Sequence, residues 1–161
     1  MSSQPLSVAR CLDTLLRYEL AAVRGYLSAE RALPAAAERD TLAAVRRSHE
    51  LAAAALRQHV AVLGQPPSAG PGLWGVFGAL VEASVARSGR RAVLTVLLWS
   101  ERHGIETYGA ACRIPGLPAA SRILIESALL PDLHRHVREL EHLCARPDGE
   151  PAQPAVAARS A

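Results

Sequence analysis

The sequence predicts an all-α protein, a four-helix bundle with one long crossover. Three observations carry this. Ala, Leu and Arg dominate and β-branched runs bounded by turn signals are missing, so the side chains lose little rotamer freedom in a helix. Apolar residues recur at helical spacing through four long segments. Two connections between those segments are tight proline turns, and the third is about 25 residues long.

The first helix spans about 6–33 and stops at Pro34, with Leu12, Leu15, Leu16, Glu19, Ala22, Val23, Tyr26 and Leu33 on one stripe. The second spans about 35–63, with a stripe of Leu42, Val45, His49, Ala52, Leu56, His59 or Val60, and Leu63. Gly64 ends it by accepting a left-handed backbone, and Pro66 and Pro67 cannot continue it. GQPPSAGPG, residues 64–72, is a turn-rich linker, after which residues 73–87 read as a short helix closed by Gly89. Trp74 and Phe77 are expected to anchor that piece to the bundle. The third helix spans about 90–114, with Leu94, Leu97, Leu98, Glu101, Gly104, Ile105, Tyr108, Ala111 and Cys112 on its stripe, and PGLP at 115–118 breaks it. The fourth runs to about 145 with Leu129, Leu133, His136, Val137, Leu140 and Leu143. Pro131 inside it removes one backbone bond and should force a kink or a wide turn. A connection as long as 64–89 can carry the chain the length of the bundle, so the third helix need not oppose the second; this is the ferritin-like arrangement. One domain is expected over 1–145, followed by a disordered Pro/Ala-rich tail over 146–161.

Composition excludes several classes. The net charge is +3, every basic residue is Arg, and the arginines are interleaved with acids. A nucleic-acid binder shows a basic stripe instead, so no such partner is expected. No stretch approaches the roughly 20 apolar residues that a membrane span needs. Cys11, Cys112 and Cys144 are odd in number and lack C-x-x-C spacing, which fits free thiols in a reducing cytoplasm. There is no Gly-rich phosphate loop, nucleophile elbow or Cys-His constellation. A hydrolase or transferase with a Glu base lacks any accompanying substrate motif, so no catalytic residue is assigned and the reading leans away from an enzyme.

Each stripe carries one central polar residue: Glu19, His49, Glu101 and His136. Glu19 lies 15 residues before Pro34 and His49 lies 15 after it, so a helical hairpin sets them at one level. Around Gly116 the count is less even, with Glu101 at 15 residues and His136 at 20, an offset of roughly 7 Å at helical rise. A wide turn at Pro131 can absorb part of it; His134 is nearer in height but faces off the stripe. An ionised carboxylate in an apolar interior requires a charge partner, a metal or a proton. Two carboxylates and two imidazoles suit one Fe, Zn or Mn ion. They equally suit a purely structural network in which each Glu hydrogen-bonds a His. Di-iron bundles add a Glu three residues before each His. Here those positions are Arg46 and Leu133, and an inward Arg46 would salt-bridge Glu19 and fill the site.

Glu19 precedes Tyr26 by seven residues, and Glu101 precedes Tyr108 by seven. Both tyrosines read as core aromatics with hydroxyls reaching a polar neighbour, or as oxidisable groups if a redox metal is present. His59, His103, His134 and His142 read as surface residues, and Trp99, beside the stripe, as a dimer contact.

LLRYELAAVRGY at 15–26 resembles the first helix of an uncharacterised bacterial ferritin-like domain family. The likeness continues in Leu63-Gly64-x-Pro66, Gly72-Leu73-Trp74-Gly75, Glu101-x-His103-Gly104 with Tyr108, and Leu129-Leu130-Pro131 followed by His136-Val137, covering about 10–145. The resemblance implies a bundle related to the rubrerythrin and bacterioferritin superfamily. It carries that superfamily's metal glutamates onto Glu19 and Glu101 and its histidines onto His49 and His136. Two functions follow as expectations: a metal-binding protein tied to metal or oxidative stress, or a non-catalytic helical module that associates with itself or a partner.

Overall fold

A computed structural model describes residues 3–72 and 76–147. The elements are α1 (Ser3–Ala32), α2 (Ala36–Val62), α3 (Val76–Cys112), α4 (Ala119–Leu124), a π-helical turn (Ile125–Leu129) and α5 (Leu130–Ala145). α3 is broken at Gly89, whose φ of 69° and ψ of −165° lie outside any helix. The crossover helix and the third bundle helix are thus the two pieces of α3, meeting where Gly89 was expected to end the first. The side chains of Trp74 and Phe77, and the tail from 148 onward, lie outside what is described. No described helix is long and apolar enough to cross a membrane.

Pro34 ends α1, and Arg39 donates from Nη1 to the carbonyls of Leu33 and Pro34, closing the turn into α2. At the other end of α2, Gly64 (φ 75°) donates its N–H to Ala61 O at 2.9 Å. The start of the crossover is tied to α1. Ser68 donates its N–H to Asp13 Oδ1 at 2.8 Å and its hydroxyl to Asp13 Oδ2, and Arg17 Nε donates to Ser68 Oγ.

Two apolar clusters give the helix directions. One joins Leu12, Leu15 and Leu16 of α1 to Leu56 and Val60 of α2, Tyr108 and Ala111 of α3, and Ile125, Leu129 and Leu133. The other joins Tyr26, Ala29 and Leu33 to Leu42 and Val45, Val93, Leu94 and Leu97, and Leu140 and Leu143. As α1 advances from the first cluster to the second, α2 and α3 run the other way and α5 runs with it. α1 is therefore antiparallel to α2 and α3, α3 is antiparallel to α5, and α2 and α3 are parallel. A parallel α2–α3 pair requires a connection as long as the bundle, which the crossover supplies. Beyond the Gly89 break, Arg90 donates to Glu38 Oε1 at 2.7 Å and to the carbonyls of Leu143 and Arg146, binding α3 to the ends of α2 and α5.

The fourth helical segment departs from a straight rod. Pro131 has no N–H, and its ring crowds the carbonyl four residues back. The turn before it widens to π geometry, with Leu130 N–H bonded to Ile125 O. That wide turn accommodates an additional residue without leaving the bundle.

Tyr18 lies outside the stripe read from the sequence, yet it is buried. Its ring occupies the space left by Gly104: a Cβ there would sit 2.4 Å from the Tyr18 hydroxyl and 2.6 Å from ring carbon Cζ. Tyr18 also donates to Ser100 O at 3.2 Å. Gly104→Ala should therefore cost about 1–3 kcal/mol by overpacking a rigid ring despite the higher helix propensity of Ala. Urea denaturation midpoints check this; an unchanged or raised midpoint contradicts it.

Candidate metal centre

The polar layer lies between the two apolar clusters. Glu19 falls between Leu16 and Ala22, His49 between Val45 and Ala53, Glu101 between Leu97 and Tyr108, and His136 between Leu133 and Leu140. All four side chains are buried, none more than 2% exposed. The structure brings together every residue of the expected set. The C-terminal offset of the sequence reading is absorbed by the non-helical stretch 113–118 and the π-helical turn. His136 thereby comes within 3.3 Å of Glu101, while His134 is exposed.

His49 is the centre of the layer. Its Nδ1 donates to Glu19 Oε2 at 2.7 Å, and its Nε2 faces Glu101 Oε1 at 3.1 Å. His136 meets the other oxygen of Glu101, Oε2, through Nδ1. The tyrosines complete the set reciprocally. Tyr26 of α1 donates to Glu101 Oε1 at 2.8 Å, and Tyr108 of α3 donates to Glu19 Oε1. Helical side chains lean toward their own N-terminus, so each tyrosine reaches back to the level of the glutamate seven residues earlier. Because α1 and α3 are antiparallel, each hydroxyl finds the opposite helix's carboxylate. Tyr18 packs edge-on to His49, with ring centroids 6.3 Å apart.

The charges follow from this geometry. Burial drives His49 toward its neutral form, but the Glu101 and Glu19 carboxylates on either side outweigh it and raise the imidazole from 6.5 to about 10. Burial likewise pushes Glu101 up, and the His49 charge with hydrogen bonds from His136 and His49 brings it from 4.5 down to about 2. Burial, then the neighbouring carboxylates, hold the hydroxyls of Tyr18, Tyr26 and Tyr108 well above 10, so they act as neutral donors.

One buried nitrogen stands apart. Among the described residues, His136 Nε2 has no hydrogen-bond partner. With Nδ1 turned to Glu101, Nε2 is the ring nitrogen left without a protein contact. His49, Glu101 and His136 each offer a ligand atom, all within 4.8 Å of one another. Glu19, the fourth residue of the expected set, joins the layer through the His49 ring. Arg46 does not enter the site: it pairs with Glu30 at 2.6 Å and with Glu50 on the outer surface. Leu133 is a buried core residue. The two positions that would add acids for a second metal are thus an outward arginine and a leucine.

Sequence reasoning missed three residues around the layer: Tyr18, Ser48 and Asp132. Gly104 was the available signal for Tyr18. Nothing in the stripe pattern marks Ser48 or Asp132, which bond each other at 3.2 Å across α2 and α5. Among the histidines read as surface residues, His59 is half-buried and bonds Ser121 Oγ at 2.9 Å, while His103 stacks on the exposed Trp99.

This architecture is a ferritin-like four-helix bundle with a Glu/His layer at its centre. Among solved structures, the chain matches a ferritin-like, diiron-carboxylate protein from Bacillus anthracis str. Ames with a TM-score of 0.73 and 17% identity, over 89% of this chain and 99% of that one. No protein-family model matches the sequence, and a comparison with curated proteins finds no match. The likeness is one of fold.

The two shifted groups set a pH window. His49 is raised, so its contribution is complete below pH 6.5 and is lost as pH rises through about 10. Glu101 is depressed, so its contribution is complete above pH 4.5 and is lost as pH falls through about 2. Stability of the metal-free protein should plateau between pH 4.5 and 6.5 and fall on either side. Urea midpoints across that range check this, and a midpoint that climbs from pH 6.5 to 10 contradicts it.

Proposed function

We propose that the protein binds one transition-metal ion in the buried layer, with His49, Glu101 and His136 as its donors. The observation that carries this reading is the buried, unpartnered His136 Nε2 beside a three-residue donor set. Two imidazoles and a carboxylate suit Fe, Zn or Mn, and the absence of acids at 46 and 133 restricts the site to a single ion. The ion would supply one-electron chemistry if it is Fe or Mn, and Lewis acidity if it is Zn. The chain's own residues hold the donors. Glu19 keeps Nδ1–H of His49 and leaves Nε2 for the ion, Tyr108 fixes Glu19, Tyr26 fixes Glu101, and the apolar clusters above and below exclude water. In the cell this reading is a role in metal handling or oxidative stress.

A second reading has its own support. Every carboxylate oxygen of Glu19 and Glu101 has a protein partner, so the layer closes as a hydrogen-bond network and the bundle serves as a non-catalytic interaction module.

Untagged protein supplied with Fe(II), Zn(II) or Mn(II) should retain about one equivalent of metal by elemental analysis, and its unfolding midpoint should rise. His136→Ala should drop retention below about a tenth of an equivalent while the bundle stays folded. Wild-type protein that retains no metal and gains no stability sinks the metal reading in favour of the closed network.

A further inference from the structure

We infer that a divalent cation reaches the buried layer through the cleft between α2 and α5, and that Asp132 is the carboxylate that takes it from solvent. This rests on the metal reading above. α2 meets α5 far less extensively than α1 meets α2 or α3 meets α5, so this seam beside the layer is a loose one. A cavity of about 10 Å³ lies in it. Its inner wall is Glu19, His49 and His136; its outer wall includes Ser48 and Asp132, both only partly buried. Such a volume holds one water or one bare ion.

The residues along the seam form steps. Asp132 stands on the first turn of α5, and His136 follows four residues later on the same face, one helical turn deeper. The unpartnered Nε2 of His136 thus belongs to a ring that lines the same cavity. Asp132 Oδ2 accepts from Ser48 Oγ at 3.2 Å, which latches the seam shut. Its other oxygen pairs with Arg135 at 2.6 Å, a contact about half exposed on the arginine side. An ion pair of that exposure separates at little cost, so a cation can replace both partners. The π-helical turn sets this geometry. It ends at Leu129, itself a cavity wall, and widens the helix just before Asp132. Between α1 and α3 the layer is flanked by Tyr18, Tyr26 and Tyr108, all buried.

Co(II), whose visible spectrum reports its ligands, is the probe, mixed with the full chain by stopped flow. Asp132→Asn should slow association roughly tenfold by removing the receiving charge, with the final Co(II) spectrum unchanged. Ser48→Leu fills the cleft from the opposite helix and should slow it as well, so the test survives if one variant fails to fold. Rates within about twofold of wild type in the folded variants overturn the route and leave the metal site standing. An altered final spectrum in Asp132→Asn also overturns it, since Asp132 would then be a ligand. Wild-type protein that develops no Co(II) spectrum overturns the metal reading and the route together.

Discussion

Two glutamates face one another inside an apolar bundle, and this requirement for compensation organises the rest of the structure. An unpaired carboxylate there would be strongly unfavourable, and two would also repel each other. His49 resolves both problems by standing between them as a cation, with one ring nitrogen toward each. Removing one partner of such a pair typically costs about 3–5 kcal/mol, a large part of the roughly 5–15 kcal/mol that holds a domain together. The pair therefore fixes α1, α2 and α3 at one depth, and His136 adds the segment after the π-helical turn. The core is divided by this layer into two apolar clusters, one at each end.

The layer in turn depends on the crossover. Tyr26 and Tyr108 can exchange carboxylates only because α1 and α3 are antiparallel, each tyrosine two turns past its own glutamate and reaching back. With a short connection α3 would oppose α2 and lie parallel to α1, and both tyrosines would then fall on the same side of the layer. The pins at both ends of the crossover are thus part of the site's support. Asp13 grips Ser68 at the start, and Arg90 grips Glu38 and the end of α5 just past the Gly89 break.

Much of this was legible in the sequence, for definite reasons. Periodicity located the long helices, and equal counts on either side of Pro34 set Glu19 and His49 level because a tight hairpin preserves helical rise. The same count failed by about a turn for His136, since a linear count treats every residue as α-helical. A π-helical turn and a non-helical corner broke that assumption, and Pro131 was the only hint. Tyr18 was hidden for another reason: its burial depends on a gap that Gly104 leaves on a different helix. Ser48 and Asp132 are polar residues on mostly exposed surfaces, and only the pairing of α2 with α5 brings them together. Arg46 shows the reverse case, in which the sequence allowed an inward salt bridge and the preference for Glu30 and Glu50 keeps it outside.

The electrostatics of the layer separate one metal from two. Two carboxylates against the His49 cation leave these three groups with one net negative charge. A dication that displaced the Nε2 proton of His49 would leave no net charge, which is favourable in a medium where a lone charge is so poorly solvated. A second dication would bring these groups to two positive charges, and positions 133 and 46, one turn from the two histidines, hold an apolar Leu133 and a cationic Arg46 where acids would be needed. The residues at these two positions thus do more than withhold ligands. They leave three central charges that one divalent ion would balance and a second would not.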